Sequence, residues 1–119
     1  MTLCTIYHNP KCSKSREALK LLQSYHIQPV IVEYLKHPLS FEQLKKLRSH
    51  FDLNDFVRCN EPIFKELKLP LDDEDAILHA MTETPILMQR PIVTYGEHAV
   101  IGRPIENVLT LINMFSSGS

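Results

Sequence analysis

The sequence predicts a mixed α/β fold, and three observations carry that prediction. Residues 2–34 read strand, helix, strand, which is the length of one βαβ unit. Residues 91–112 read as two short strands and a helix. The stretch between them shows helical periodicity and little strand character.

Thr2 to His8 is rich in strand formers and is stopped by Asn9-Pro10. From Ser13 the period changes. Ala18, Leu21, Leu22 and Tyr25 follow i, i+3, i+4, i+7, the stripe of an amphipathic helix. Gln28-Pro29 ends that helix, and Val30 to Tyr34 reads as a short buried strand, parallel to the first through a right-handed crossover. Ser40 and Gln43 have the spacing of a capping box, with Phe41, Leu44 and Leu47 as the apolar face behind it. A short helix carries Ile63, Phe64 and Leu67. Asp72 caps a further helix, with Asp73, Glu74 and Asp75 at its positive end, Ile77, Leu78 and Met81 inward, and Pro85 at its close. Pro91 to Tyr95 returns to strand character, Gly96-Glu97 makes a two-residue hairpin turn, and His98 to Ile101 is the return strand. Gly102 breaks it. Pro104 opens a last helix with Ile105, Val108, Leu109 and Ile112 inward, and Phe115 to Ser119 is expected to fray.

The simplest packing of these elements is one mixed four-stranded sheet with helices on both faces. That is the thioredoxin-like plan: a core from residues 1–35 and 89–119, with a helical insertion at 36–88, all within a single domain of 119 residues. A monomer is expected.

Composition narrows the function classes. Thirteen Lys and Arg against fourteen Asp and Glu leave a net charge of −1, which argues against nucleic acid as the main partner. Three cysteines, Cys4, Cys12 and Cys59, are too few and too odd in number for a disulfide framework, so a reducing cytoplasm is expected. No basic-then-apolar leader and no apolar run of about 20 residues is visible, so neither secretion nor a membrane span is expected. No bound cofactor is implied.

The chemistry concentrates in His8-Asn9-Pro10-Lys11-Cys12-Ser13-Lys14-Ser15-Arg16. Cys12 falls in the turn between a strand and a helix, where free backbone N–H groups favour an anion. His8, Lys11, Lys14 and Arg16 add positive charge nearby, and Ser15 offers a hydrogen bond to a thiolate. The expected product is a cysteine that is nucleophilic near neutral pH. A dithiol redox site would need a cysteine where Ser15 stands, and a phosphatase-type loop would need arginine where Ala18 stands. Zinc would need a second ligand pair to join His8 and Cys12, and none follows at metal spacing. An oxyanion attacked by a lone thiolate also needs cations. Arg16, Arg58, Arg90 and Arg103 are candidates, two of them directly before proline, although each alone reads more simply as a surface charge.

Together these pieces resemble the glutaredoxin-coupled arsenate reductases, the ArsC family. The matching segments are Ile6 to Arg16, Arg58 with Asn60-Glu61-Pro62, Leu87 to Val93, and Ile101-Gly102-Arg103-Pro104. They cover roughly residues 4–112. The resemblance implies Cys12 as the arsenate-attacking nucleophile, with His8 and Ser15 supporting its thiolate. It implies Arg58, Arg90 and Arg103 as the oxyanion-binding set, with Arg16 in support, and Pro91 at the position of a cis-proline facing the cysteine. It further implies glutathione as co-substrate and glutaredoxin as partner. Ser13-Lys14 stands where well-studied reductases often have Gly-Thr, so the chain looks closer to a less characterised Cys-Ser-Lys-Ser branch. Two other readings belong to the same fold family: an Spx-like module that binds RNA polymerase, and a general glutathione-linked thiol oxidoreductase. Cys59 is expected to be a bystander, Cys4 a core residue, and His26, His37, His50, His79 and His98 surface or packing residues.

Overall fold

The computed structural model describes residues 3–116. The chain divides into two compact units, one ending at Tyr34 and resuming at Arg90, the other spanning Leu35–Gln89. Among the described residues no helix is long and apolar enough to cross a membrane.

The first unit holds β1 (Cys4–Tyr7), α1 (Ser13–Ser24), β2 (Val30–Val32), β3 (Ile92–Tyr95), β4 (His98–Ile101) and α6 (Glu106–Ser116), where α6 follows four helices of the second unit. The sheet order is β2-β1-β3-β4, with β1 parallel to β2 and the other neighbours antiparallel. Alternation along β1 buries Cys4 and Ile6 on one face, where they meet Ala18 and Leu22 of α1, Val93 of β3, and Val108, Leu111 and Ile112 of α6. Of the two faces expected to carry helices, this is the one that α1 and α6 share. Tyr95 and His98 pair across a two-residue turn in which Gly96 has φ 62°, a left-handed conformation that suits glycine.

Several details differ from expectation. β2 is an edge strand rather than a buried one, so Val30 and Ile31 stay 46% and 47% exposed. Tyr25 is exposed because α1 stops at Ser24 and the chain has already left the helical path. The buried stripe of α1 therefore begins a turn earlier, at Ser15, and continues through Ala18 and Leu22. In the last helix Leu111, not Leu109, joins Val108 and Ile112 in the core, because it lies three residues from Val108 on the same face. That helix starts two residues after Pro104 and runs to Ser116. The rest of the expected frayed end, 117–119, and the expected strand start at Thr2 lie outside the described residues.

The second unit contains α2 (Phe41–Arg48), α3 (Leu53–Phe56), α4 (Pro62–Glu66), α5 (Glu74–Glu83) and a 3-10 turn at Pro85–Leu87. The capping box forms as expected: Ser40 Oγ accepts from the Gln43 amide at 3.2 Å, and Gln43 Oε1 accepts from the Ser40 amide at 2.9 Å. Leu44 and Leu47 of α2 and Ile77, Leu78 and Met81 of α5 are buried, while Phe41 stacks on His79 at 4.2 Å. The cap of α5 is Asp73, whose carboxylate accepts from the Ala76 amide, rather than Asp72. The reason is local: the Asp73 amide closes a turn on the Pro70 carbonyl and leaves Asp72 outside the helix. Leu67 is exposed because α4 ends at Glu66, before it.

Candidate active site

The loop from β1 to α1 is built by its own hydrogen bonds. The His8 amide donates to Val32 O at 2.8 Å, which extends the β1–β2 ladder to the edge of the loop. Asn9 then organises the turn three times over. Its carbonyl accepts from the Cys12 amide, its side-chain oxygen accepts from the Lys11 amide, and its own amide donates to Ser15 Oγ, each at 3.0 Å. Arg16 donates to the Pro10 carbonyl at 2.9 Å and clasps the loop from the helix side. Cys12 is left as the N-cap of α1 with extended backbone (φ −93°, ψ 123°), at the free amides of the first turn.

Four groups act on the Cys12 thiol. Burial pushes its pKa up, but the backbone amide of Ser15, the Arg103 guanidinium, the Lys14 amide and the charge of Arg90 together outweigh burial and hold it below the ordinary thiol value. Arg103 reaches the sulfur directly, with Nη2 3.6 Å from Sγ, while its Nε donates to the Arg90 carbonyl at 2.9 Å. Cys4, buried in the core, is pushed up to about 11 by desolvation and is a structural thiol.

His8 and Ser15 lie behind the cysteine and are both buried, with His8 Nδ1 2.7 Å from Ser15 Oγ. Burial lowers the His8 pKa; the charge of Glu33 opposes this and that of Arg16 assists it, so the ring is neutral at neutral pH. The Ser15 hydroxyl was expected at the thiolate. The structure engages it with His8 and the Asn9 amide instead, and Ser15 favours the thiolate through its backbone N–H. Arg16 holds the Pro10 carbonyl and is not among the groups that tune the thiol.

The segment that carries the two arginines is equally constrained. Arg90-Pro91 is a cis peptide, and so is Arg103-Pro104. The Gly102 amide donates to Pro91 O at 2.8 Å, and a Cβ at Gly102 would stand 2.8 Å from Pro91 Cγ and 3.1 Å from Val108 Cγ2. Only glycine lets β4 end against Pro91 this closely. Asn107 ties the same segment from α6, and neither its spacing nor its residue type marks it in the sequence. Arg58 lies in the other unit, where its guanidinium pairs with Glu61 and donates to Ile86 O at 3.3 Å. Cys59 is half-buried beside it, with Sγ 3.8 Å from Val57 O.

The structure places Cys12 at a helix start with its thiol held below the ordinary value, and brings Arg103 and Arg90, each before a proline, to act on it. The sequence model of the ArsC family matches residues 7–111. The chain belongs to the ArsC family. Known ArsC relatives align over nearly the whole chain. The uncharacterised protein YfgD of Escherichia coli K12 is 42% identical over 112 residues, covering 90% of this chain and 94% of its own. An arsenate reductase of Neisseria meningitidis serogroup A is 41% identical over 108 residues, covering 87% and 92%. The solved arsenate reductase from Vibrio cholerae superposes with a TM-score of 0.84 at 43% identity, covering 92% of this chain and 97% of that one. The thioredoxin-like plan expected from the element order is thus the observed one, in its ArsC form.

Proposed function

We propose that this protein is an arsenate reductase in which Cys12 is the nucleophile. The observation that carries the reading is the Cys12 sulfur itself, below the ordinary thiol pKa at the start of α1 and 3.6 Å from the Arg103 guanidinium. The names of the relatives in Neisseria and Vibrio support the choice of oxyanion.

In the proposed cycle the Cys12 thiolate attacks As(V), forming a sulfur–arsenic bond and releasing one arsenate oxygen as water. Arg103 and Arg90 hold the anion and its developing charge. Glutathione brings the second thiol, since Ser15 stands where a resolving cysteine would be. The two sulfurs give two electrons to arsenic, leaving arsenite and a Cys12–glutathione disulfide. Glutaredoxin then returns Cys12 to its thiol by exchange. The low-pKa thiol suits both the attack and its role as leaving group in that exchange. The resemblance adds Arg58 as a third arginine; it belongs to the other unit and pairs there with Glu61.

The test is arsenate-dependent NADPH oxidation coupled through glutathione reductase, with glutathione and glutaredoxin omitted in turn. The expected result is turnover that needs arsenate, glutathione and glutaredoxin, and that vanishes in Cys12→Ser. Turnover in Cys12→Ser, or none in the complete mixture, contradicts the proposal.

A further inference from the structure

Arg103 is exposed, and holding its long side chain against the Cys12 sulfur costs conformational entropy that a fixed backbone lessens. On one side the backbone is fixed by Gly102, seated on Pro91. On the other side stands Asn107, in the first turn of α6. Its Nδ2 donates to the Ile101 carbonyl at 2.9 Å and, more weakly, to the Arg103 carbonyl at 3.4 Å. Both partners are acceptors only, so the amide nitrogen must face them, and the orientation of this side chain follows from chemistry. One amide thus bridges the last residue of β4 to the residue that bears the guanidinium. The Asn107 backbone amide adds a bond to Pro104 O at 3.0 Å, closing the turn from its far end.

The geometry points to Asn107 as a positioning residue for Arg103: its side-chain amide pins the Ile101–Arg103 backbone so that the guanidinium meets the Cys12 sulfur. Asn107 touches neither the sulfur nor an oxyanion, and it acts only through Arg103. The inference rests on the reading of Cys12 and Arg103 as partners at the reacting centre. It does not require arsenate to be the substrate.

The test is therefore made on the thiol. Cys12 alkylation by iodoacetamide is followed against pH in a Cys59→Ser background, for Asn107→Ala, Arg103→Ala and the double variant. Asn107→Ala is expected to slow alkylation below the thiol pKa about threefold, as a rise of about half a unit would. In the Arg103→Ala background the same substitution is expected to change nothing further, which is the signature of action through that residue. Asn107→Leu keeps the branched shape, removes the donor without adding charge and is a good helix former. It serves where truncation prevents folding, and its effect should also shrink once Arg103 is gone. An alkylation profile that matches wild type in the Asn107 variants overturns the inference. So does an effect of equal size with and without Arg103, since both leave Asn107 as a helix-start hydrogen bond alone. Because arsenate is absent, failure here is separate from failure of the arsenate assay.

Discussion

Burial penalises the Cys12 thiolate, while two backbone amides and two guanidiniums favour it, and the balance falls on the side of the anion. After the Ser15 backbone amide, Arg103 is the side chain that favours the thiolate most, and its one guanidinium meets the sulfur with Nη2 and the Arg90 carbonyl with Nε. Lysine keeps the charge but has no fork to make both contacts. A lost charge-assisted contact is worth about 1.5–3 kcal/mol, or roughly ten- to a hundred-fold in kcat/KM. Arg103→Lys is expected to lower arsenate kcat/KM at least tenfold, with a melting temperature close to wild type because the side chain is exposed. His8 sets a pH limit. Its folded-state pKa lies below the unfolded value of 6.5, chiefly through burial, so the unfolded chain takes up the proton first. Stability should fall as the pH drops below about 6.5 and continue falling until the folded-state pKa is passed. Melting curves between pH 7.5 and 5 are expected to show a shallower acid loss in His8→Gln; equal slopes in the two proteins would show that His8 contributes none of it. Cys12, His8 and Ser15 were legible in the sequence because a helix start next to cations is a local pattern, whereas Arg103, 91 residues from Cys12, was marked only by the family resemblance. The fate of the Ser15 hydroxyl was not, since it depends on His8 being folded back seven residues away.

At the scale of elements, spacing located the strands, the capping box and the inward faces of α2 and α5, all features set within a few residues. The misses occurred at element ends and edges. Tyr25 fits the helical period but lies past the end of α1, Asp72 yields its role to Asp73 because a Pro70 turn intervenes, and Val30 and Ile31 look like core but line a sheet edge. α3 and the Pro85–Leu87 turn are too short to show a period. Gly102 reads in sequence as a strand breaker, whereas its structural reason is the contact with Pro91. A methyl group there must displace Pro91 or Val108. Gly102→Ala is expected to cost about 1–3 kcal/mol of stability in chemical denaturation, as overpacking does. It should also reduce turnover, because Pro91 follows Arg90 and Gly102 precedes Arg103. Wild-type stability and turnover in that variant would show that the β4 end accommodates a side chain freely.

For the molecule as a whole, the sheet-bearing unit ends at Tyr34 and resumes at Arg90, and the hydrophobic period that separates strand from helix is a local property on either side of those two places. Substrate identity is less local: a thiolate and two guanidiniums accept any tetrahedral oxyanion of the right charge, and the choice of arsenate rests on the relatives. The most direct measurement is therefore arsenic speciation. Arsenate is incubated with the protein, glutathione and glutaredoxin, and As(III) and As(V) are separated by chromatography. The account predicts arsenite formed catalytically by wild type, none above the protein-free rate with Cys12→Ser, and at least a tenfold loss with Arg103→Lys. Arsenite formed equally by wild type and Cys12→Ser, or arsenate recovered unreduced from the complete wild-type mixture, would contradict it.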